Sequence, residues 1–69
     1  MKHMVKTETV DGQPLLVDPL SVQAVSTSWH EDKGTGERID TATLHFTAYH
    51  VVLRWDVFRR HFRDSFDIF

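Results

Sequence analysis

The sequence predicts an α+β fold, in which a small antiparallel β-sheet of about five strands packs against one C-terminal α-helix. Aromatic residues near the C terminus recur at steps of three or four, at Trp55, Phe58, Phe62, Phe66 and Phe69. This spacing places them along one side of an amphipathic helix. The residues before the helix form short β-prone runs separated by turn signals, which is typical of a small sheet.

Chain length and composition limit the class of protein. The 69 residues suffice for one domain, so we expect 1–69 to be a single domain. Residues 1–4 are expected to be disordered or derived from a vector, because Met4 is a second candidate start. The chain has no cysteine, which fits a cytoplasmic protein. No run approaches the roughly 18 apolar residues of a membrane span, so we expect no membrane association.

The first two strands are predicted to form a hairpin. Residues 5–10 alternate apolar with polar or β-branched side chains, as in a half-buried strand. Asp11-Gly12 follows and favours a type I′ turn, in which both central residues have positive φ. Residues 13–17 are then the return strand, with Pro14 tolerated near its start.

A tight turn and a third strand come next. Asp18-Pro19 ends the return strand, because proline restricts the preceding residue and lacks an N–H. We expect one turn over 19–21 and a strand over 22–30, whose alternation leaves open which face is buried. The polar segment 31–37 contains two glycines and is predicted to be a loop.

The fourth and fifth strands are predicted over 38–49 and 51–55. A bulge or a late start near Asp40 is expected, because either would reconcile Ile39 with the period of the rest of the core face. That core face is predicted to contain Ile39, Ala42, Leu44, Phe46 and Ala48.

The C-terminal helix is predicted to start at Asp56 and to end at Ser65 or Phe66. Asp56 suits the N-cap, because its carboxylate accepts a hydrogen bond from the first turn. Segment 54–63 carries four arginines against one aspartate, whereas segment 31–40 carries four acidic against two basic residues. The sequence therefore predicts a basic helix and an acidic loop, although the formal net charge is only -2.

The order of these turns and strands resembles the small FlbD-like (SwrD-like) flagellar proteins and short phage proteins of the same plan. The matching positions are Asp11-Gly12, Asp18-Pro19, Val22, Thr43 to Phe46 and Val51 to Val57. The chain departs from that plan at Ala48-Tyr49-His50, where the family usually has a glycine. The resemblance implies a β-rich sheet with a C-terminal helix, and either a flagellar regulatory protein or a phage protein.

Catalytic and metal-binding motifs do not occur in the sequence. The histidines do not fall in a His-x-x-x-His frame, and no serine has a Gly-x-Ser-x-Gly context. Gly34-Thr35-Gly36 does not open a helix in a way that would hold phosphate. We therefore expect no enzymatic activity, no metal and no cofactor.

Partner binding is the remaining class of function. The candidate residues are Trp29, Glu31, Asp32, His45, Tyr49, Arg54, Arg59, Arg60 and Arg63. Trp29, His45 and Tyr49 are expected on the sheet face away from Leu44 and Phe46, where aromatic side chains anchor interfaces. If the sheet instead curls and buries both faces, that surface is lost.

We interpret the chain as a non-catalytic protein-binding module whose partner is a host protein or complex. With the phage-like resemblance, this indicates a phage or mobile-element inhibitor of host machinery, anti-CRISPR-like or RNA-polymerase-binding. The alternative is nucleic-acid binding, in which the helix arginines contact phosphates and Trp29 or Tyr49 stacks on bases, although the net acidic charge opposes it. A homodimer formed through an edge strand is a further expectation.

Overall fold

The computed structural model describes residues 3–66. Within these residues, the elements in chain order are β1 (Val5–Glu8), β2 (Pro14–Val17), a 3₁₀ turn (Pro19–Ser21), β3 (Ala24–Glu31), β4 (Arg38–His45), β5 (His50–Arg54) and α1 (Trp55–His61). The predicted α+β class with about five strands is confirmed. The strands form two antiparallel sheets, β1-β2 and β3-β4-β5, where the sequence predicted one.

The two sheets meet at the tip of the β1-β2 hairpin. The backbone N–H of Val10 donates to the carbonyl of Val52 in β5 at 2.9 Å. The hairpin therefore lies beside β5 but contributes no paired strand to its sheet. A strand pair of four residues is marginal by itself, so the hairpin depends on this neighbour and on the helix.

The hairpin turn differs from the predicted type I′ turn. The N–H of Gly12 donates to the carbonyl of Thr9 at 2.9 Å, so Val10 and Asp11 are the central residues. Gly12 has a φ of 85°, and no described residue other than glycine has a positive φ. This is a type I turn followed by a left-handed glycine, which needs a special residue at one position instead of two. Asp-Gly located the hairpin, but the turn type was wrong.

β3 and β4 pair in one unbroken register over their full length. The bulge or late start predicted near Asp40 is therefore wrong, since β4 begins at Arg38. Because side chains alternate along a strand, Ile39 lies on the face opposite Ala42 and Leu44 and does not share their core.

β4 ends earlier than predicted, at His45. The N–H of Phe46 donates to the carbonyl of Tyr49 at 2.8 Å, which closes a reversal over the two intervening residues. Ala48 was predicted in the core face, but it sits in this reversal and is exposed. A two-residue hairpin connection leaves no room for the longer strand.

α1 follows β5 without a loop, and this changes both predicted ends. Arg54 occupies the N-cap position and makes no side-chain cap hydrogen bond, so the prediction of Asp56 as N-cap was wrong. Asp56 lies in the first turn, where its charge still suits the positive end of the helix dipole. The helix ends at His61, earlier than the predicted Ser65 or Phe66.

The aromatic side of α1 forms the core with the β3-β4-β5 sheet. Phe58 and Phe62 are fully buried and stack with their ring centroids 5.4 Å apart. The other buried apolar residues come from both sheets and the helix, and they are Val17, Ala42, Leu44, Leu53 and Val57. Phe58 and Phe62 thus lie on one side of the helix, as predicted, and that side is the one that packs in the core. Phe66 is half-buried against them, and Phe69 lies outside the described residues.

The inner face of the β1-β2 hairpin closes the core from the other side of the helix. Val5 and Thr7 face inward together with their partners Val17 and Leu15. Thr7 is buried, and its Oγ1 lies 2.8 Å from Nδ1 of His61. This contact satisfies a buried hydroxyl and ties the end of α1 to β1.

Replacing Phe58 by alanine should remove the largest buried contact between helix and sheet. We expect Phe58→Ala to lower the free energy of unfolding by about 3 to 5 kcal/mol, which approaches the whole stability of a small domain. Urea denaturation followed by circular dichroism measures this. The neighbouring exposed substitution Arg59→Ala is the control and should stay within about 0.5 kcal/mol of wild type. Equal midpoints for the two variants would contradict the packing.

Gly12 is expected to resist replacement, because a Cβ at its positive φ is strained whatever the surrounding space. Gly12→Ala should destabilise the domain by about 1 to 2 kcal/mol. Gly34→Ala is the matched control, since Gly34 does not have a positive φ and its added Cβ would meet only Asp32 Oδ1 at 3.4 Å. Thermal melts of both variants, compared with wild type, test this. A larger loss in the control would be inconsistent with the turn.

Candidate protein-docking site

The residues predicted from the sequence as a binding site do not gather into one place. Trp29 is in β3, and Tyr49 is in the reversal between β4 and β5. The arginines lie on α1 and at its N-cap. The molecule therefore presents four separate surfaces, each with its own geometry.

The first surface surrounds Trp29, whose predicted sheet face was wrong. Trp29 pairs with Asp40 and therefore shares the face of Leu44. It remains 52% exposed, and the main contacts of α1 are with β1, β4 and β5. The guanidinium carbon of Arg38 lies 4.8 Å from the centroid of the Trp29 ring, and Arg38 Nε lies 2.9 Å from Asp40 Oδ1. The tryptophan is thus one wall of an open groove, which Trp55 of α1 also lines.

The second surface is the opposite sheet face and the acidic loop. His45 lies on the predicted side, away from Leu44, and its Nε2 is 2.8 Å from Ser26 Oγ. Glu31 ends β3 and is exposed, whereas Asp32 is half-buried. Asp32 Oδ1 accepts a hydrogen bond from the N–H of Gly34 at 2.7 Å. Asp32 therefore stabilises the loop, and this structural role explains an aspartate at this position without a binding partner.

The third surface is the arginine groove, an open groove on α1. It is lined by Trp55, Asp56, Arg59, Arg60, Arg63 and Asp64. Arg60 Nη2 lies 3.8 Å from Asp56 Oδ2, and Arg54 Nε lies 3.5 Å from Asp56 Oδ1. All of these charges are exposed, so the pairs contribute little to stability. Two carboxylates inside the groove offset part of its positive potential.

The fourth surface is apolar and was not predicted. We call it the docking patch, and its residues are Met4, Leu16, Leu20, Phe46 and Tyr49. Among them Leu16 is 64%, Tyr49 60% and Leu20 92% exposed. A small cavity is lined by Met4, Leu16, Phe46 and Tyr49, and also by Asp18 and Ser21, which flank Leu20 in the chain. Clustered exposed apolar side chains with a polar rim are typical of interaction sites.

Tyr49 joins this patch through Phe46. Their rings stack with centroids 4.7 Å apart and an interplanar angle of 18°. Tyr49 was predicted on the face opposite Phe46, and this is wrong because the two residues pair across the reversal and so share a face. Stacking holds the tyrosine ring in place while it stays exposed.

Leu20 is presented on a turn that is held by side-chain hydrogen bonds. Asp18 Oδ1 accepts from the N–H of Leu20 at 3.0 Å, and its Oδ2 accepts from Ser21 Oγ at 3.2 Å. Pro19 limits the backbone further, because its φ is fixed by the ring. The backbone that carries the exposed leucine therefore has few alternative conformations.

Two signals in the sequence could have pointed to the docking patch. Leu15 and Leu16 are adjacent in a strand, so one of them must face away from the core. Leu20 follows Asp18-Pro19 in a turn, where an apolar side chain has no strand or helix face to join. Leu16 is the exposed one because α1 and the core lie on the side of the hairpin that Leu15 faces.

Comparison with known proteins found no matching family model, no matching curated protein and no matching solved structure. Within residues 3–66, no three His, Asp or Glu side chains gather closely enough to hold a metal ion. The described part of the chain also contains no helix with the length and hydrophobicity to cross a bilayer.

Removing the Asp18 carboxylate should loosen the 3₁₀ turn without unfolding the domain. We expect Asp18→Ala to cost about 0.5 to 2 kcal/mol, as for other lost caps, and to speed hydrogen exchange at the Leu20 amide. NMR exchange measurements test both effects. Glu8→Ala, an exposed acidic residue in β1, is the control and should leave the Leu20 amide unchanged. Equal exchange rates in the two variants would contradict the role of Asp18.

Proposed function

We propose that this chain is a non-catalytic protein-binding module that meets its partner through the docking patch. The single observation that carries the proposal is Leu20, which is 92% exposed although it is large and apolar. A solitary exposed leucine is ordinary, but this one lies between Asp18 and Ser21 in the chain, and both of these residues line the cavity together with Leu16 and Tyr49. The partner is a protein with an apolar pocket for this side chain.

The energetics favour such an anchor. Full burial of one leucine contributes about 1.5 to 3 kcal/mol, and a tyrosine adds apolar area with a polar tip. The Asp18 hydrogen bonds order the turn before binding, so less conformational entropy is lost on association. Interfaces concentrate their energy in a few anchors of this kind.

The narrower proposal is an inhibitor of host machinery encoded by a phage or mobile element, acting in the cytoplasm. It is supported by the small fold and by the resemblance of the turn positions to short phage proteins. The docking patch adds a surface through which such an inhibitor, anti-CRISPR-like or RNA-polymerase-binding, would bind its host target.

Affinity capture from host extract, followed by quantitative mass spectrometry, tests the binding proposal. A protein retained by wild type should be lost with Leu20→Ser and with Tyr49→Ala. Binding of the purified partner should weaken at least tenfold, which corresponds to about 1.4 kcal/mol. Both residues are exposed, so melting temperatures should be unchanged.

The matched control is the double variant Arg59→Glu, Arg60→Glu, which alters exposed charge on α1, an element that contributes no residue to the patch. It should retain the same protein. Loss of the partner in this control, together with full retention by Leu20→Ser, would overturn the assignment of the docking patch.

Nucleic-acid binding is the second candidate, favoured by one observation. Arg59, Arg60 and Arg63 line one open groove together with Trp55, whose ring suits base stacking. Fluorescence anisotropy with single-stranded and duplex oligonucleotides tests it. A real site would lose affinity steeply as salt rises and would lose it entirely in the Arg59→Glu, Arg60→Glu variant. Identical anisotropy for wild type and variant would exclude this groove.

A further inference from the structure

The outer edge of β3 is an unusually open strand edge. β3 has eight residues, and all of them except Val25 are exposed. Its sequence AVSTSWHE contains no lysine, proline or glycine, and its pairing with β4 has no bulge. Natural proteins protect a free strand edge with features such as lysine, proline or a bulge, and β3 has none of these three. The outer edge of β5, in contrast, is met by the hairpin at Val52.

The hydrogen-bond pattern shows which backbone groups of β3 face outward. Phe46 and Tyr49 are a hydrogen-bonded pair, so alternate residues of β4 direct their backbone groups toward β5. The other residues of β4, such as Thr41 and Thr43, direct their backbone N–H and C=O groups toward β3. Their β3 partners are Ser28 and Ser26, respectively. The backbone groups of Val25, Thr27 and Trp29 therefore point away from β4, toward the free edge.

We propose that a second copy of this chain pairs with this edge, antiparallel and centred on Thr27. In that register Thr27 faces Thr27 of the second copy, and Val25 faces Trp29 in both directions. The outward groups of these three residues then form about six backbone hydrogen bonds between the copies. The two three-stranded sheets become one continuous sheet.

The side chains are self-complementary in this register. Val25 with Trp29 is a β-branched and aromatic pair, which is among the favourable cross-strand combinations. On the other face Ser26 meets Ser28, so no like charges face each other in the centre. Shifting the centre to Ser28 would place Val25 opposite Glu31, which buries no matched pair. The sequence of β3 thus favours a second copy in one register.

The rest of the fold leaves room for this contact. α1 makes its main contacts with β1, β4 and β5, and both Thr27 and Trp29 are exposed, although Trp55 of α1 lines the same groove. Trp29 is already oriented by Arg38, which lies over its ring. The docking patch uses residues of β2, the 3₁₀ turn and the reversal after β4. Dimer formation and partner binding therefore rest on different residues and can fail separately.

Sedimentation equilibrium over the micromolar to millimolar range tests the dimer. Wild type should show a monomer–dimer equilibrium. Thr27→Lys and Thr27→Glu each place like charges opposite each other at the two-fold axis, and each should raise the dissociation constant about fivefold. Thr27 is exposed, so both variants should keep the wild-type circular dichroism spectrum.

Mixing the Thr27→Lys and Thr27→Glu proteins should restore dimers, because opposite charges then meet at the centre. Leu20→Ser is the control and should dimerise like wild type. The proposal is overturned if wild type is monomeric throughout, if the mixture fails to associate, or if Leu20→Ser abolishes the dimer. If dimers form in the mixture but not in either variant by itself, the two Thr27 positions face each other as this register requires.

Discussion

The packing of Phe58 and Phe62 against Ala42, Leu44 and Leu53 is the interaction on which the rest of the structure depends. In a chain this short, these side chains are the main source of buried apolar area, and a small domain keeps only a modest stability. The 3.6-residue period of α1 brings both rings to one side. The alternation of β4 brings Ala42 and Leu44 to the facing side of the sheet. If either the helix or the strand lost its apolar period, the apolar side of α1 and the facing side of the sheet would both stay exposed.

One helix can cover only part of this fold, and that limit decides which surfaces stay exposed. α1 is held between β1 and the β4-β5 half of the three-stranded sheet. β3 is left with an open edge, and the outer face of the β1-β2 hairpin is left with Leu16 in solvent. The exposed surfaces are therefore consequences of a small core. They are also the surfaces available for a second copy or another protein.

Short-range hydrogen bonds restrict the turns and loops that do not pack against the core. Asp18 holds the 3₁₀ turn under Leu20, and Asp32 holds the loop between β3 and β4. Such side-chain to backbone bonds are typical of Asp in turns. The charged helix works differently, because its ion pairs are exposed and add little stability. The acidic residues in the arginine groove instead offset the charge that a nucleic-acid site would need.

The sequence by itself determined the α+β class, the approximate strand positions and the burial of Phe58 and Phe62, because these follow from local periodicity and turn chemistry. Tertiary structure alone decided that the strands divide into two sheets and that Leu16 faces outward. It also placed Trp29 on the face of Leu44. These outcomes depend on which element covers which face, and that is set by packing between residues distant in the chain. The docking patch and the β3 edge belong to this second group, because a surface is defined by what the core fails to cover.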